Sequence, residues 1–260
     1  MLYGKFFHNT SYLYCLKELV LKKLLYISAL IFLPLVTPSL AQEMAPFKLT
    51  HYGHFKKMMH MKKTDGVIDL KQAIRRPHLY GVGATGHGTS EITVVDGKLW
   101  LDYGADGLGN AKHEPLKAEQ AVILVTAEVS KWRNINVPRD MDASELHVFI
   151  ISQAESNGLA PETPFPFMIE GRYFNLDWHV LNGRNNGDGH GSGGLYKKIK
   201  EHRKDTTGAV VGFYSAAVQG VYTHPGESWH LHLVIEKEGK AGHIDTISVR
   251  KGAVLKLPVR

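Results

Sequence analysis

Trp229-His230-Leu231-His232-Leu233-Val234-Ile235, followed after a polar connection over 236–242 by His243-Ile244-Asp245-Thr246-Ile247-Ser248-Val249, decides how this chain is read. Both runs have the apolar, β-branched character of strands. Within a strand, side chains at i and i+2 share a face, so His230 and His232 present two imidazoles side by side while Leu231 faces the core. His243 comes eleven residues after His232, at the start of the next strand, where an antiparallel return can bring it opposite the first pair. An H-x-H pair alone also arises on a solvated strand face. With a third histidine after a β-return and apolar neighbours throughout, the pattern points to a metal held by three neutral imidazoles. Such a set leaves a coordination position for water or substrate, the catalytic rather than the structural arrangement.

Working outward, residues 209–217 and 121–129 read as strands, the latter buried. Residues 92–101 alternate about Asp96-Gly97, a two-residue hairpin signal, with Glu91 at the hairpin mouth. Residues 167–180 read as a second hairpin turned at Glu170-Gly171. A helix is expected over 143–156, with Asp142 as N-cap, Glu145 completing a capping box and Gly158 near the stop. Shorter helical pieces are expected over 68–74 and 197–204. The run 182–194 holds six glycines and reads as a loop; it has no strand-to-helix context for a phosphate cradle. His51, His54, Met58, Met59, His60 and Met61 could suggest soft-metal capture, but methionines at helical spacing read first as packing. Strands dominate, no repeat is visible, and the alternation of a doubly wound parallel sheet is missing.

The chain has 260 residues, enough to bury a core without disulfides. Lys17, Lys22 and Lys23 precede an apolar run over 24–36 that is short for a bilayer span, and Ser39-Leu40-Ala41 fits a small-residue cleavage site before Gln42. Residues 1–41 are therefore read as a signal peptide and 42–260 as one catalytic domain, exported to a periplasm or the medium and free of the membrane after cleavage. Removing the leader leaves 27 of 31 Lys+Arg against 24 of 25 acids, a net charge of +3, too mild to argue for nucleic acid. The single cysteine, Cys15, leaves with it, which excludes thiol-based metal or redox chemistry from the mature form.

The run Gly208-Ala209-Val210-Val211-Gly212-Phe213, with Gln219-Gly220, Pro225-Gly226, Trp229 to His232 and Gly242-His243, resembles the pattern of the alpha-acetolactate decarboxylase family, including the eleven-residue gap between histidines. Tyr80-Gly81-Val82-Gly83, Glu91 and Val94-Val95-Asp96-Gly97 look like an upstream block of the same family, and Ile169-Glu170-Gly171 like its central I-D-G. The resemblance runs from about Phe55 to Val249. It implies an α+β, strand-rich fold, with a mixed β-sheet half and a small β-barrel-like half carrying the histidines, paired as a homodimer. It also implies His230, His232 and His243 as metal ligands, Glu91 as the active-site glutamate, and a small-molecule substrate, 2-acetolactate or a related 2-hydroxy-3-keto acid, decarboxylated to acetoin.

Three departures stand out. The family's active-site arginine falls on His179, its threonine falls on Ala84 with Thr85 next door, and no acid follows Asp245 to match a glutamate of the family's C-terminal tail. His179 could replace the arginine as a donor to the substrate carboxylate, though imidazole makes single contacts and is mostly neutral at pH 7. Arg184 is a second candidate for that task. Three imidazoles suit zinc, copper, iron and nickel alike, and zinc is the expected ion. Two other readings stay open. A cupin-like site would use the H-x-H-x3-E spacing of His230, His232 and Glu236, and a non-catalytic metal-binding or ligand-sensing relative would keep the ion without the reaction.

Overall fold

The computed structural model describes residues 46–185 and 195–259; the leader read at 1–41 and most of the glycine-rich run lie outside them. The strands are β1 (Lys48–Tyr52), β2 (Ile68–Asp69), β3 (Leu79–Thr85), β4 (Glu91–Val95), β5 (Lys98–Asp102), β6 (Gln120–Glu128), β7 (Trp132–Asn136), β8 (Phe165–Arg184), β9 (Tyr196–Tyr214), β10 (Trp229–Ile235), β11 (Lys240–Val249) and β12 (Val254–Pro258). Three α-helices accompany them among the described residues: α1 (Phe55–His60), α2 (Leu70–Ala73) and α3 (Ala143–Ser156).

The strands form two sheets. The first has the order β1-β6-β3-β4-β5, with β2 also on β6; the second has the order β11-β10-β9-β8-β12-β7, with β11 returning to pair with β8. That return closes a circuit of four strands, β8-β9-β10-β11. The strand-rich expectation holds, but the mixed sheet does not: all pairings among the described strands are antiparallel. Neighbours such as β3, β4 and β5 are joined by short connections, which suit antiparallel pairing and are too short for a parallel crossover.

The sheets lie face to face. Tyr80, Val82, Val125 and Ala127 of the first meet Met168, Val211 and Phe213 of the second. On the outer face of the first sheet, Leu70 and Ala73 of α2 pack with Ile92, Val94 and Leu124. Leu146, Ile150 and Ala154 of α3 cover the outer face of the second. Each large apolar side chain so buried stabilises the fold by about 1.5–3 kcal/mol. The capping box forms as its sequence implies, with Asp142 accepting from the Glu145 backbone and Glu145 from that of Asp142.

Two segments differ from their sequence reading. No hairpin turns at Glu170-Gly171; β8 runs through it as one strand of 20 residues. A Cβ on Gly171 would stand 2.5 Å from the Ala253 side chain, so this glycine serves a close approach by the chain before β12 rather than a turn. The helical turns expected at 197–204 are also absent, because this charged stretch continues β9, paired with β8 from Arg184↔Tyr196 to Phe165↔Tyr214. Its helix formers are overridden by that ladder and by ion pairs such as Lys240 to Glu201 (3.0 Å). The helix expected at 68–74 shrinks to α2, with Asp69 accepting from the Gln72 backbone at 3.0 Å.

Candidate functional site

The site forms between the sheets because alternation sends polar residues of β4, β10 and β11 inward. Asp96 (φ 48°) and Gly97 (φ 78°) make the tight turn foreseen between β4 and β5. On β4, Ile92 and Val94 join the core beneath α2, leaving Glu91 and Thr93 on the face toward the second sheet. On β10, Leu231, Leu233 and Ile235 join the core beneath α3, so His230 and His232 face the first sheet. His243 is the register partner of His232 on one side and of His179 on the other. Gly242 makes this possible: a Cβ there would lie 2.5 Å from the His179 carbonyl oxygen and 2.8 Å from the Trp178 ring.

The resulting cluster is tight. His230 Nε2 and His232 Nε2 are 3.1 Å apart. His232 Nδ1 is 3.0 Å from Thr93 Oγ1 across the sheet interface. Glu91 brings its two oxygens to 3.6 Å from His232 Nε2 and 3.8 Å from His179 Nε2. His179 Nδ1 lies 2.9 Å from Asp245 Oδ2. His243 stacks obliquely on His179, ring centroids 4.8 Å apart, and stands 5.2 Å from His230. His224, from the connection between β9 and β10, completes a group in which it, His230 and His243 each offer a ligand atom within 4.8 Å of the others. Phe55 of α1 closes this side, its ring 4.2 Å from that of His224 and 4.9 Å from that of His230.

Burial governs the electrostatics. Glu91, only 4% exposed, is pushed up to about 8, chiefly by desolvation, with Lys198 opposing and Asp245 adding to the rise. Desolvation holds His230, His232 and His243 well below the usual histidine range, and the neighbouring histidines push each down further. His224 falls to about 4 for the same first reason. These rings therefore stay neutral at pH 7, the form that binds metal. The donor set fits a divalent cation on a second ground. His243 Nδ1 is buried without a hydrogen-bond partner, and two ring nitrogens 3.1 Å apart need either a shared proton or a cation between them.

Beside the cluster lies a cavity of about 130 Å³ bordered by Glu91, His179, His224, His230 and His243, with Met58, Leu181 and Tyr196 among its apolar wall. Sites for drug-sized ligands begin near 300 Å³, so this one suits a molecule of few heavy atoms.

All five residues singled out from sequence, Glu91, His179, His230, His232 and His243, meet here. The cupin-like triad does not assemble: Glu236 is exposed and pairs with Lys98 at 2.7 Å. Arg184 sits exposed at the end of β8. Of the methionines read as packing, Met58 is buried and Met59 partly so, while Met61, just past the end of α1, is exposed. Sequence reasoning missed His224, Thr93 and Asp245. Thr93 and Asp245 carried a signal, each standing two residues from a named site residue on the same strand face. His224 carried none, being a lone histidine among turn residues.

No curated protein sequence matches the chain. Solved structures do. Acetolactate decarboxylase from Bacillus subtilis subspecies spizizenii superposes with a TM-score of 0.64 at 14% identity, covering 82% of this chain and 86% of the other. Alpha-acetolactate decarboxylase from Bacillus subtilis strain 168 gives 0.65 at the same identity and coverage. A Staphylococcus aureus protein of unknown function, described as similar to alpha-acetolactate decarboxylase, gives 0.59 at 15% over the same shares. These likenesses establish the fold. The alpha-acetolactate decarboxylase family profile matches residues 49–257. That span takes in both sheets and every residue of the cluster, and on it we conclude that the chain belongs to the alpha-acetolactate decarboxylase family.

Proposed function

We propose that this protein is a metal-dependent decarboxylase converting 2-acetolactate, or a related 2-hydroxy-3-keto acid, to acetoin or its analogue with release of carbon dioxide. The observation that carries the reading is the buried group of His230, His232 and His243 with buried Glu91 against it, at the wall of a cavity sized for a small acid. His230, His232 and His243 would hold the ion, expected to be zinc; the ligand atoms that converge within 4.8 Å are those of His224, His230 and His243, which makes His224 a further candidate ligand. A divalent ion supplies a Lewis acid for the substrate's adjacent oxygens and for the negative charge left when carbon dioxide departs.

The remaining steps fall to side chains. With Nε2 turned into the cluster, His232 carries its proton on Nδ1 and donates it to Thr93 Oγ1, which fixes both tautomer and ring plane. Glu91, raised to about 8 by burial in the metal-free chain, stands where it can deliver a proton to the carbon that carbon dioxide leaves, and a bound ion would pull its pKa back toward the operating range of an acid catalyst. His179 donates from Nδ1 to Asp245, so its Nε2 is an acceptor facing Glu91 at 3.8 Å. That geometry suits His179 to exchanging a proton with Glu91 better than to gripping a carboxylate.

Zinc-loaded protein is expected to form acetoin from racemic acetolactate well above the background of a His232→Ala variant. Acetoin at the variant's level, with zinc retained, would leave a metal-binding protein without this reaction.

A further inference from the structure

With the proposed ion engaged by the substrate's hydroxyl and keto oxygens, an acid in this cavity needs another group to receive its carboxylate, and neither His179, committed to Asp245, nor the neutral ligand imidazoles supply a cation. Lys198 does. It lines the cavity while its side chain stays solvent-accessible at the mouth, and among the described residues no carboxylate pairs with its ammonium. Its charge reaches Glu91, His179, His224 and Asp245, each of which it disfavours protonating. Two residues earlier on the same strand face stands Tyr196, 4% exposed, whose hydroxyl is buried against the cavity without a hydrogen-bond partner. A buried hydroxyl without a partner is costly, and a ligand oxygen arriving beside it removes that cost. Gly88 helps hold the ring in place, since a Cβ there would stand 2.4 Å from it. The other nearby cation, Arg184, pairs in register with Tyr196 but does not border the cavity.

We propose that Tyr196 and Lys198 form the acid-recognising wall of this cavity, Lys198 receiving the carboxylate of a small 2-hydroxy acid and Tyr196 donating a hydrogen bond to one of its oxygens. The assignment rests on the proposed reaction only for the identity of the substrate; the preference for an acid stands on the wall itself. Lys198 is a binding residue for the ground state, so its loss acts on affinity before turnover.

The test compares binding of 2-hydroxyisobutyrate with binding of its uncharged amide, by calorimetry on zinc-loaded protein. Wild type is expected to favour the acid by roughly tenfold or more, as a charge-assisted contact implies. Lys198→Met should cut that preference about tenfold by weakening the acid alone, the remainder being owed to the zinc, with zinc content and Tm unchanged, and Lys198→Arg should restore most of it. Tyr196→Phe should weaken both ligands by roughly two- to tenfold. For acetolactate turnover, Lys198→Met should raise KM about tenfold while kcat changes less than about threefold. The proposal is overturned if wild type shows no preference, if the preference is undiminished in Lys198→Met, or if Arg184→Gln lowers it instead. An acid preference that depends on Lys198, in protein that makes no acetoin, would support the wall and count only against the reaction assigned above.

Discussion

The two sheets contribute unlike chemistry to one site. From the second come imidazoles: His230 and His232 on β10, His243 on β11 and His179 on β8, with His224 on the connection before β10. From the first come a carboxyl and a hydroxyl, Glu91 and Thr93, at alternate positions of β4. The difference separates holding from acting. A cation needs several neutral nitrogens converging from paired strands. A proton donor works by standing close and buried, which the opposite sheet can supply with one residue.

The strongest test of that division is His232→Ala. We expect zinc affinity to fall by roughly a hundredfold or more, with acetoin formation lost alongside, measured by metal analysis and turnover on the same sample. Glu91→Gln should do the reverse: turnover drops by about 10²–10⁴ while zinc stays bound. If the glutamine variant loses its metal as the alanine variant does, the division fails.

Acidity should sharpen the contrast in metal-free protein. Below about 6.5 the unfolded chain binds protons that buried His230, His232, His243 and His224 refuse, the last down to about 4. Stability is thus lost as pH falls below that value, by roughly 1.4 kcal/mol per pH unit for each such histidine. Glu91 acts with opposite sign: raised from 4.5 to about 8, it lowers stability as pH rises between those values. Glu91, and Asp102, raised to about 6, oppose these four imidazoles and His179, which is also lowered, so Tm of the stripped protein should fall on acidification from about pH 6.5, less steeply in His232→Ala. A flat profile would mean the rings are not buried in solution. The smallest expected effect blurs the division deliberately. Thr93→Val, on the first sheet, removes the partner that orients His232 and should weaken zinc about tenfold to a hundredfold, less than loss of the ring itself.

Much of this site is legible in the sequence. The H-x-H alternation, the eleven-residue return and the Asp96-Gly97 turn are local signals, and local signals place residues on strand faces reliably. What stayed hidden depended on partners distant in sequence. Lys198 sits where 197–204 reads as helix, with Tyr196 just before it, because a run of lysines has no apolar stripe to reveal which face it presents. Gly171 reads as a turn until Ala253 is seen beside it. His224 gains meaning only from the rings that surround it. The sign of the Glu91 shift follows from burial, which a hairpin-mouth position in sequence does not disclose.

The hydrogen-bonded pair Thr93 and His232 is separated by 139 residues along the chain. Contacts so remote form only after a large loop has been closed, which makes them slow to nucleate. On the proposed reading the ligands of β10 and β11 are among the last residues synthesised, so an ion would be taken up late in maturation, and Thr93 would steady His232 only once the two sheets have docked.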